Sequence, residues 1–323
     1  MVRAFSADTL PPSQASGLDV SFLSERLAIS SYGLAFRTPG YRQQQKWNTV
    51  QIRVTSYNYL NLYDKIDDPG VKDEDTPEKP LEQRQAGGQV LRELDSDVIS
   101  FQEIEKGSLL KSELDRETQG QYDVVHIDGN DERSSDVAFA SKHQVLKVTS
   151  HKEHRYRLPG NPEEQKFRRD LLEVDVMLPG GIPMKVFSVH FKSKRGGEAS
   201  DILREGEARQ ARALIKEAVK NLPHKNYLVM GDFNDSPETP TAKALTEKDA
   251  DGWGLVDITA QAGNPTATYP TGQEDAKKWG SKRIDYIMTS PELAQKLVSV
   301  SVHRTPATFV ASDHFPLTAT FNL

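Results

Sequence analysis

Residues 202–222, ILREGEARQARALIKEAVKNL, followed at 227–235 by YLVMGDFND, decide the fold. In the first stretch Ile202, Ala208, Ala211, Leu214, Ile215 and Val219 fall on one face at helical spacing. The second is a continuous apolar run of the buried-strand kind that halts at a Gly-Asp turn. A long amphipathic helix feeding a buried strand is the repeating unit of a layered α/β domain.

Working outward, the same alternation recurs. QIRVTSYNYL (51–60) alternates and carries β-branched and aromatic residues, as a strand does. LEQRQAGGQVLRELD (81–95) has helical spacing, with Leu81, Val90, Leu91 and Leu94 as candidate core positions, and DVISFQEIE (97–105) follows as a short strand. Strands are expected at DVAFAS (136–141), LLEVDVML (171–178), MKVFSVHF (184–191), RIDYIM (283–288) and HFPLTATFNL (314–323), with a helix at PELAQKL (291–297). No internal repeat and no boundary after residue 50 is visible, so residues 50–323 read as one mixed α/β domain. Residues 1–49, rich in Ser, Pro, Gly and Gln, read as a partly irregular N-terminal extension with one brief helix around Phe22 to Ile29. Between Asp64 and Glu82, eight acidic and three basic residues with three prolines read as an exposed loop that does not pack.

Bulk composition narrows the chemistry. A formal net charge of -6 gives no overall attraction for a polyanion, so any nucleic-acid contact has to come from a local basic patch. The absence of cysteine removes disulfides, thiolate metal sites and cysteine nucleophiles together. No stretch approaches the ~18 apolar residues of a membrane span, and the first twenty residues hold no apolar signal segment. A soluble monomer is expected.

Polar residues gather where the apolar runs end, which is where layered α/β folds display their sites. Glu103 closes VISFQE (98–103) and suits a hard cation such as Mg²⁺, which selects oxygen donors; alone it would equally serve as a turn cap. His190 would be an ordinary core histidine but for Lys192, Lys194 and Arg195 just beyond it, which make the loop anion-facing. Asp232 and Asn234 leave the strand end as an acceptor and an amide donor suited to a water or a phosphate oxygen, or to an Asx turn. Asp285, between Ile284 and Tyr286 in a strand, is costly without a partner. His314 is the natural one, and its neighbour Asp313 would then point the other way, towards a metal. Asn58 and Asn61 complete the set of strand-end polar residues.

In this order, SYNYLNLYD (56–64), ISFQEIE (99–105), SVHFKSK (188–194), GDFND (231–235), RIDYIM (283–288) and SDHFPL (312–317) resemble the motif series of the endonuclease/exonuclease/phosphatase, or DNase I-like, superfamily. The resemblance implies a four-layer α/β sandwich of two packed mixed sheets flanked by helices. It implies Asn58 and Asp313 beside the metal, Glu103 as its principal ligand, and His190, Asp232, Asn234, Asp285 and His314 as the catalytic set. Asn61, Lys192, Lys194 and Arg195 are expected to meet phosphate or substrate, and Asp136 to support His190. Two departures limit the carry-over: Leu60 stands where many relatives have an acidic residue, which weakens a second metal site. SKRIDYIM (281–288) lacks the Trp-Cys-Asp-Arg signature of the inositol 5-phosphatases.

The implied reaction is in-line attack of water on a phosphodiester with Mg²⁺, or Mn²⁺ or Ca²⁺, as cofactor, and either Asp232 or His314 as base. SVHFKSKRGG (188–197) is most similar to secreted or surface bacterial nucleases, implying DNA or RNA cleaved with little sequence preference, at a secreted, periplasmic or surface location. Lys142 to Arg169 holds eight Lys and Arg against three acidic residues, with three histidines, and would supply a basic rim; Tyr156, Phe167 and Trp279 could stack on bases or simply pack. Two other readings stand beside the nuclease. A phosphodiesterase or phosphatase of lipids or small phosphorylated molecules would want an apolar membrane-facing loop, and none is evident. A non-catalytic binding module would have no use for the intact polar set.

Overall fold

The computed structural model describes residues 49–66, 68, 72, 76–263 and 266–323. The extension read over residues 1–49 lies outside the described residues apart from Thr49. In chain order the main elements are β1 (Gln51–Leu62), α1 (Leu81–Leu94), β2 (Val98–Ile104), α2 (Gly107–Thr118), β3 (Asp123–His126), β4 (Asp136–Ser141) and β5 (Gln144–Ser150). They continue through the short β6 (Tyr156–Arg157) and β7 (Glu164–Gln165), then β8 (Leu172–Leu178), β9 (Ile182–His190), α3 (Glu198–Lys220), β10 (Tyr227–Asp232), α4 (Pro240–Thr246) and β11 (Val256–Asp257). The last are α5 (Ile258–Gln261), α6 (Gln273–Trp279), β12 (Asp285–Thr289), α7 (Pro291–Ala294), β13 (Leu297–Val302), α8 (Thr308–Ala311) and β14 (Leu317–Asn322).

Two six-stranded mixed sheets form, ordered β13-β14-β1-β2-β4-β3 and β11-β12-β10-β9-β8-β5. Ile52, Val54, Val98 and Phe139 of the first sheet meet Val174, Val186, Leu228 and Ile287 of the second in one dry core. The outer face of the first sheet packs Tyr57, Ile99 and Phe101 against Val90, Leu91 and Leu94 of α1 and Leu110 and Leu114 of α2. The outer face of the second packs Phe187, Val189 and Val229 against Ala208, Ala211, Ile215 and Val219 of α3. The result is the expected helix–sheet–sheet–helix sandwich, in which central strands are covered on both faces and therefore read as unbroken apolar runs.

The departures from expectation have local causes. Leu81 is 68% exposed because it occupies the first position of α1, before the helix meets the sheet, and Ile202 lies on the outer side of α3. PELAQKL is helical only over Pro291–Ala294, and Leu297 opens β13 instead. Both β13 and β5 are edge strands with exposed residues, so their apolar patterning is too thin to distinguish from loop.

Candidate active site

The site is built on two breaks in strand regularity and one straight rung. In the parallel pair β1/β2 the register jumps between Asn58 and Leu62, and the β2/β4 ladder jumps between Gln102 and Ile104. Leu60 (φ 53), Asn61 (φ 46) and Glu103 (φ 65) are left-handed there. Bulges re-aim side chains at the ends of strands, and these turn Asn58 and Glu103 toward each other: Asn58 Nδ2 donates to Glu103 Oε1 at 3.2 Å and the Asn61 amide donates to Glu103 Oε2 at 3.0 Å. Asn234 (φ 53) is left-handed as well, so among the described residues four of the seven non-glycine residues with positive φ lie at this one place. Each such residue costs on the order of 1–3 kcal/mol, so the concentration marks a functional arrangement that the surrounding core has to sustain.

The rung belongs to the second sheet. β9, β10 and β12 align His190 with Asp232 and Asp232 with Asp285. Asp232 is the hub. Its Oδ1 accepts the Asn234 amide at 2.7 Å, and its Oδ2 accepts from Asn58 Nδ2 and from Asn234 Nδ2, each at 3.2 Å. The same Oδ2 lies 3.6 Å from His190 Nε2 and 3.8 Å from His314 Nε2. His314 Nδ1 sits 2.9 Å from Asp285 Oδ2, so the pairing expected from the sequence is present.

Charge is set mainly by burial. Desolvation, with Asp285 and Glu103 nearby and only partly offset by His314, pushes the Asp232 carboxyl up to about 7. Burial alone would drag His314 down, but Asp285 and Asp232 outweigh it and hold the imidazole protonated well above its ordinary range. Burial, reinforced by Arg169, His314, Arg133 and Lys192, keeps His190 neutral far below its ordinary range. Two histidines thus take opposite charge states beside one carboxylate.

Asp313 and Glu103 form an oxygen-only pair beside Asn58. Burial raises the Asp313 carboxyl, and the Glu103 charge adds to that despite His314. Two carboxylates that repel each other, with amide donors on Glu103 and only the partial compensation of Lys79 and His314, suit a hard divalent ion. Asp232, Asp285 and His314 also bring ligand atoms within 4.8 Å of one another, but His314 Nδ1 is already engaged with Asp285. The Glu103–Asp313 pair is the better fit for a metal.

Several expected residues land elsewhere. The side-chain amide of Asn234 turns inward, donating to Phe191 O at 3.0 Å as well as to Asp232. Lys194 is tied to Asp235 at 2.8 Å and Lys192 Nζ donates to Arg195 O at 3.1 Å, so of the three expected cations only the Arg195 side chain has no hydrogen bond or ion pair among the described residues. Asn61 contributes its backbone amide to Glu103. Asp136 shares no hydrogen bond with His190, and its Oδ2 faces His126 Nε2 at 3.9 Å. The basic stretch scatters. Ser141, just before Lys142, pairs with Val98 at the opposite end of β2 from Glu103, and Lys142, Arg155, Arg157 and Lys166 are paired with local carboxylates. Only its end, Arg168 and Arg169, reaches the neighbourhood of Lys192 and His190. Tyr156 and Phe167 are buried, and Trp279 alone stays exposed.

Lys79 is a residue of the site that no motif announces. It lies 2% exposed in the loop expected not to pack, and its Nζ donates to Tyr59 O, Leu60 O and Ala311 O at 2.8, 2.9 and 2.9 Å. Together with Ser312 Oγ, which donates to Asn58 O at 2.8 Å, it ties the β1 bulge to the segment carrying Asp313 and His314. Burial lowers Lys79 from 10.5 to about 8. Lys79→Met leaves three carbonyls unpaired and is expected to cost roughly 1–3 kcal/mol at pH 7. Because the folded pKa is depressed, the wild-type lysine contributes its full stability above 10.5 and loses part of it as pH falls through about 8. The difference measured by denaturant unfolding therefore widens between pH 8 and pH 10.5. A constant difference across that window contradicts the burial.

With bulge, rung and oxygen pair placed, comparison with known proteins becomes specific. A model of the "Endonuclease/Exonuclease/phosphatase family" matches residues 53–260. The chain belongs to this family. Its fold recurs in the human Nocturnin catalytic domain with bound sulfate, at 14% identity and TM-score 0.58, over 84% of this chain and 94% of that one. Truncated TDP2 of Caenorhabditis elegans matches at 20% identity and TM-score 0.55, over 84% and 98% respectively. A mannosyl-6-phosphatase of Bacteroides thetaiotaomicron matches at 17% identity and TM-score 0.59, over 83% and 98%. At these identities the likeness is one of fold. No curated protein sequence matches the chain. Members of this superfamily are phosphoesterases and nucleases, and no described helix is long and apolar enough to cross a membrane.

Proposed function

We propose that the chain is a divalent-metal-dependent phosphodiester hydrolase acting on nucleic acid with little sequence preference. The observation that carries the hydrolytic part is the Asp232 hub, a buried carboxylate held near neutrality between a neutral His190 and a protonated His314. A carboxylate so poised can take a proton from water at Oδ2 and is a better base than His314, which Asp285 keeps charged. His314 then serves as a cationic hydrogen-bond donor to a phosphate oxygen, and neutral His190 as a second donor. Asn58 orients Asp232 and Glu103 at once, through one amide group. A divalent ion such as Mg²⁺ on Glu103 and Asp313 supplies neutralisation of a non-bridging oxygen and of charge on the leaving oxygen.

Support for a nucleic-acid substrate comes from Lys192 and the half-exposed Arg168 on the His190 side of an otherwise acidic protein, with Arg133 and the buried Arg169, both paired with Asp131, adding to the local positive potential. Local cations on an acidic body hold a phosphate backbone without reading bases. The test is cleavage of supercoiled plasmid, linear duplex, single-stranded DNA and RNA, beside a small phosphodiester and a sugar phosphate. Expected is Mg²⁺-dependent cleavage of nucleic acid, abolished by EDTA and lowered about 10²-fold or more in His190→Ala. A folded protein that spares every nucleic acid while hydrolysing the sugar phosphate overturns the reading.

A further inference from the structure

A second group of metal-type ligands lies outside the catalytic constellation, where β3 ends and β4 begins. His126 closes β3, Asp136 opens β4, and Asp128 belongs to the connection between them. One ligand atom from each comes within 4.8 Å of the others. His126 Nδ1 is 3.7 Å from Asp128 Oδ1, and Nε2 is 3.9 Å from Asp136 Oδ2, both too long for hydrogen bonds. Yet the His126 side chain is only 8% exposed and that of Asp136 2%. His126 Nε2 and Asp136 Oδ1 are buried atoms without a hydrogen-bond partner. Each side chain also meets one backbone group, His126 that of Ile104 and Asp136 the Gly129 amide, but a bare buried nitrogen beside a bare buried oxygen remains costly as it stands.

The spacing suits a metal. Nitrogen and carboxylate donors sit ~2.0–2.2 Å from a zinc-type ion, which sets them roughly 3–4 Å from one another. The surroundings are shaped to hold this geometry. A Cβ on Gly107, the first residue of α2, would lie 2.7 Å from His126 Cβ, and one on Gly129 would lie 2.4 Å from Asp136 Oδ1. A side chain at either position would have to displace the donor it meets, so these glycines leave the donors room to hold this geometry. Asp128, 88% exposed, lies on the solvent side and leaves an entry path.

We propose that His126, Asp128 and Asp136 form a second cation site that takes a first-row transition metal of the Zn²⁺ class. One imidazole with two carboxylates selects such an ion over Mg²⁺, which prefers oxygen alone and keeps its waters. The ion clips together the two ends of the β3–β4 connection. That connection carries Arg133 and Asp131, and Asp131 pairs with Arg169 at 3.2 Å. Occupancy therefore stiffens the segment that places positive charge beside His190.

The test is Zn²⁺ binding to the EDTA-stripped full chain in excess Mg²⁺, read by competition with a chromogenic chelator and by thermal shift. Wild type and Asp232→Asn are compared with His126→Ala and with the nearly isosteric Asp136→Asn, folding being checked by circular dichroism. Expected are one fewer tight Zn²⁺ equivalent, or at least tenfold weaker binding, and loss of the Zn²⁺-induced rise in Tm in both cluster variants. Asp232→Asn retains that equivalent. Undiminished binding in folded His126→Ala and Asp136→Asn, or loss confined to Asp232→Asn, overturns the proposal.

Discussion

Asp232→Asn is expected to lower kcat by at least about 10³-fold while leaving the protein folded, since it removes a base and the charge that organises its neighbours. Asparagine keeps the shape, and its Oδ1 can still accept the Asn234 amide, but it cannot accept a proton. It also presents no negative charge to His314 Nε2, 3.8 Å away. The stability effect runs the other way. Asp232 has its folded pKa raised from 3.8 to about 7, so its contribution to stability is present below 3.8 and is lost as pH rises through about 7. Asparagine does not titrate. In EDTA, the stability of Asp232→Asn relative to wild type should therefore rise across that window, by an amount of order a few kcal/mol at most. A loss of activity together with a relative stability that climbs across that window, whatever the constant cost of setting an amide nitrogen against the Nδ2 groups of Asn58 and Asn234, distinguishes a catalytic role from structural damage. In the wild type, the acid limb of kcat/KM should lie above the ordinary carboxylate range and no higher than about 7. A kcat within tenfold of wild type removes Asp232 from the reaction.

What could be read from the chain before its structure was known depended on whether a residue's own surroundings in the sequence demanded a partner. Asp285, set between Ile284 and Tyr286, did so, and His314 answers it at 2.9 Å. The buried strands and α3 were equally plain, because continuous apolar runs and a helical stripe need no tertiary context. Lys79 was hidden because nothing in an acidic, proline-rich segment shows that one lysine finds three backbone carbonyls. Arg169 belonged to a conspicuous basic stretch, but the strand direction that sends Lys142 to the far end and Arg169 to the near one is a property of topology. Asp136 was aimed at His190 for the same reason: the motif series orders residues along the chain without saying which neighbour each side chain meets, and here it meets His126. The left-handed Leu60 and Glu103 were beyond reach too, since neither is a residue type that favours such a conformation, and Asn61, which does tolerate it, sits in a stretch that reads as plain strand.

Gly231→Ala is expected to be the most destabilising small substitution in the site, costing about 3–5 kcal/mol. Gly231 pairs with Val189 across the parallel β9/β10 ladder. A Cβ at Gly231 would sit 1.9 Å from the Val189 carbonyl oxygen and 2.8 Å from its carbonyl carbon. These are backbone atoms of a central strand, so no rotamer change relieves the contact, and the two strands have to separate. The next rung is His190 with Asp232, and spreading the ladder disturbs the 3.6 Å approach of their side chains. Molecules that do fold should therefore be poor catalysts as well. Gly252→Ala supplies the comparison: its φ is 77 but a Cβ there meets nothing within 4 Å. That substitution carries conformational strain alone, about 1 kcal/mol. Urea unfolding of both variants separates the two causes. A Gly231→Ala cost no larger than that of Gly252→Ala means the ladder yields where a close-packed central strand should not.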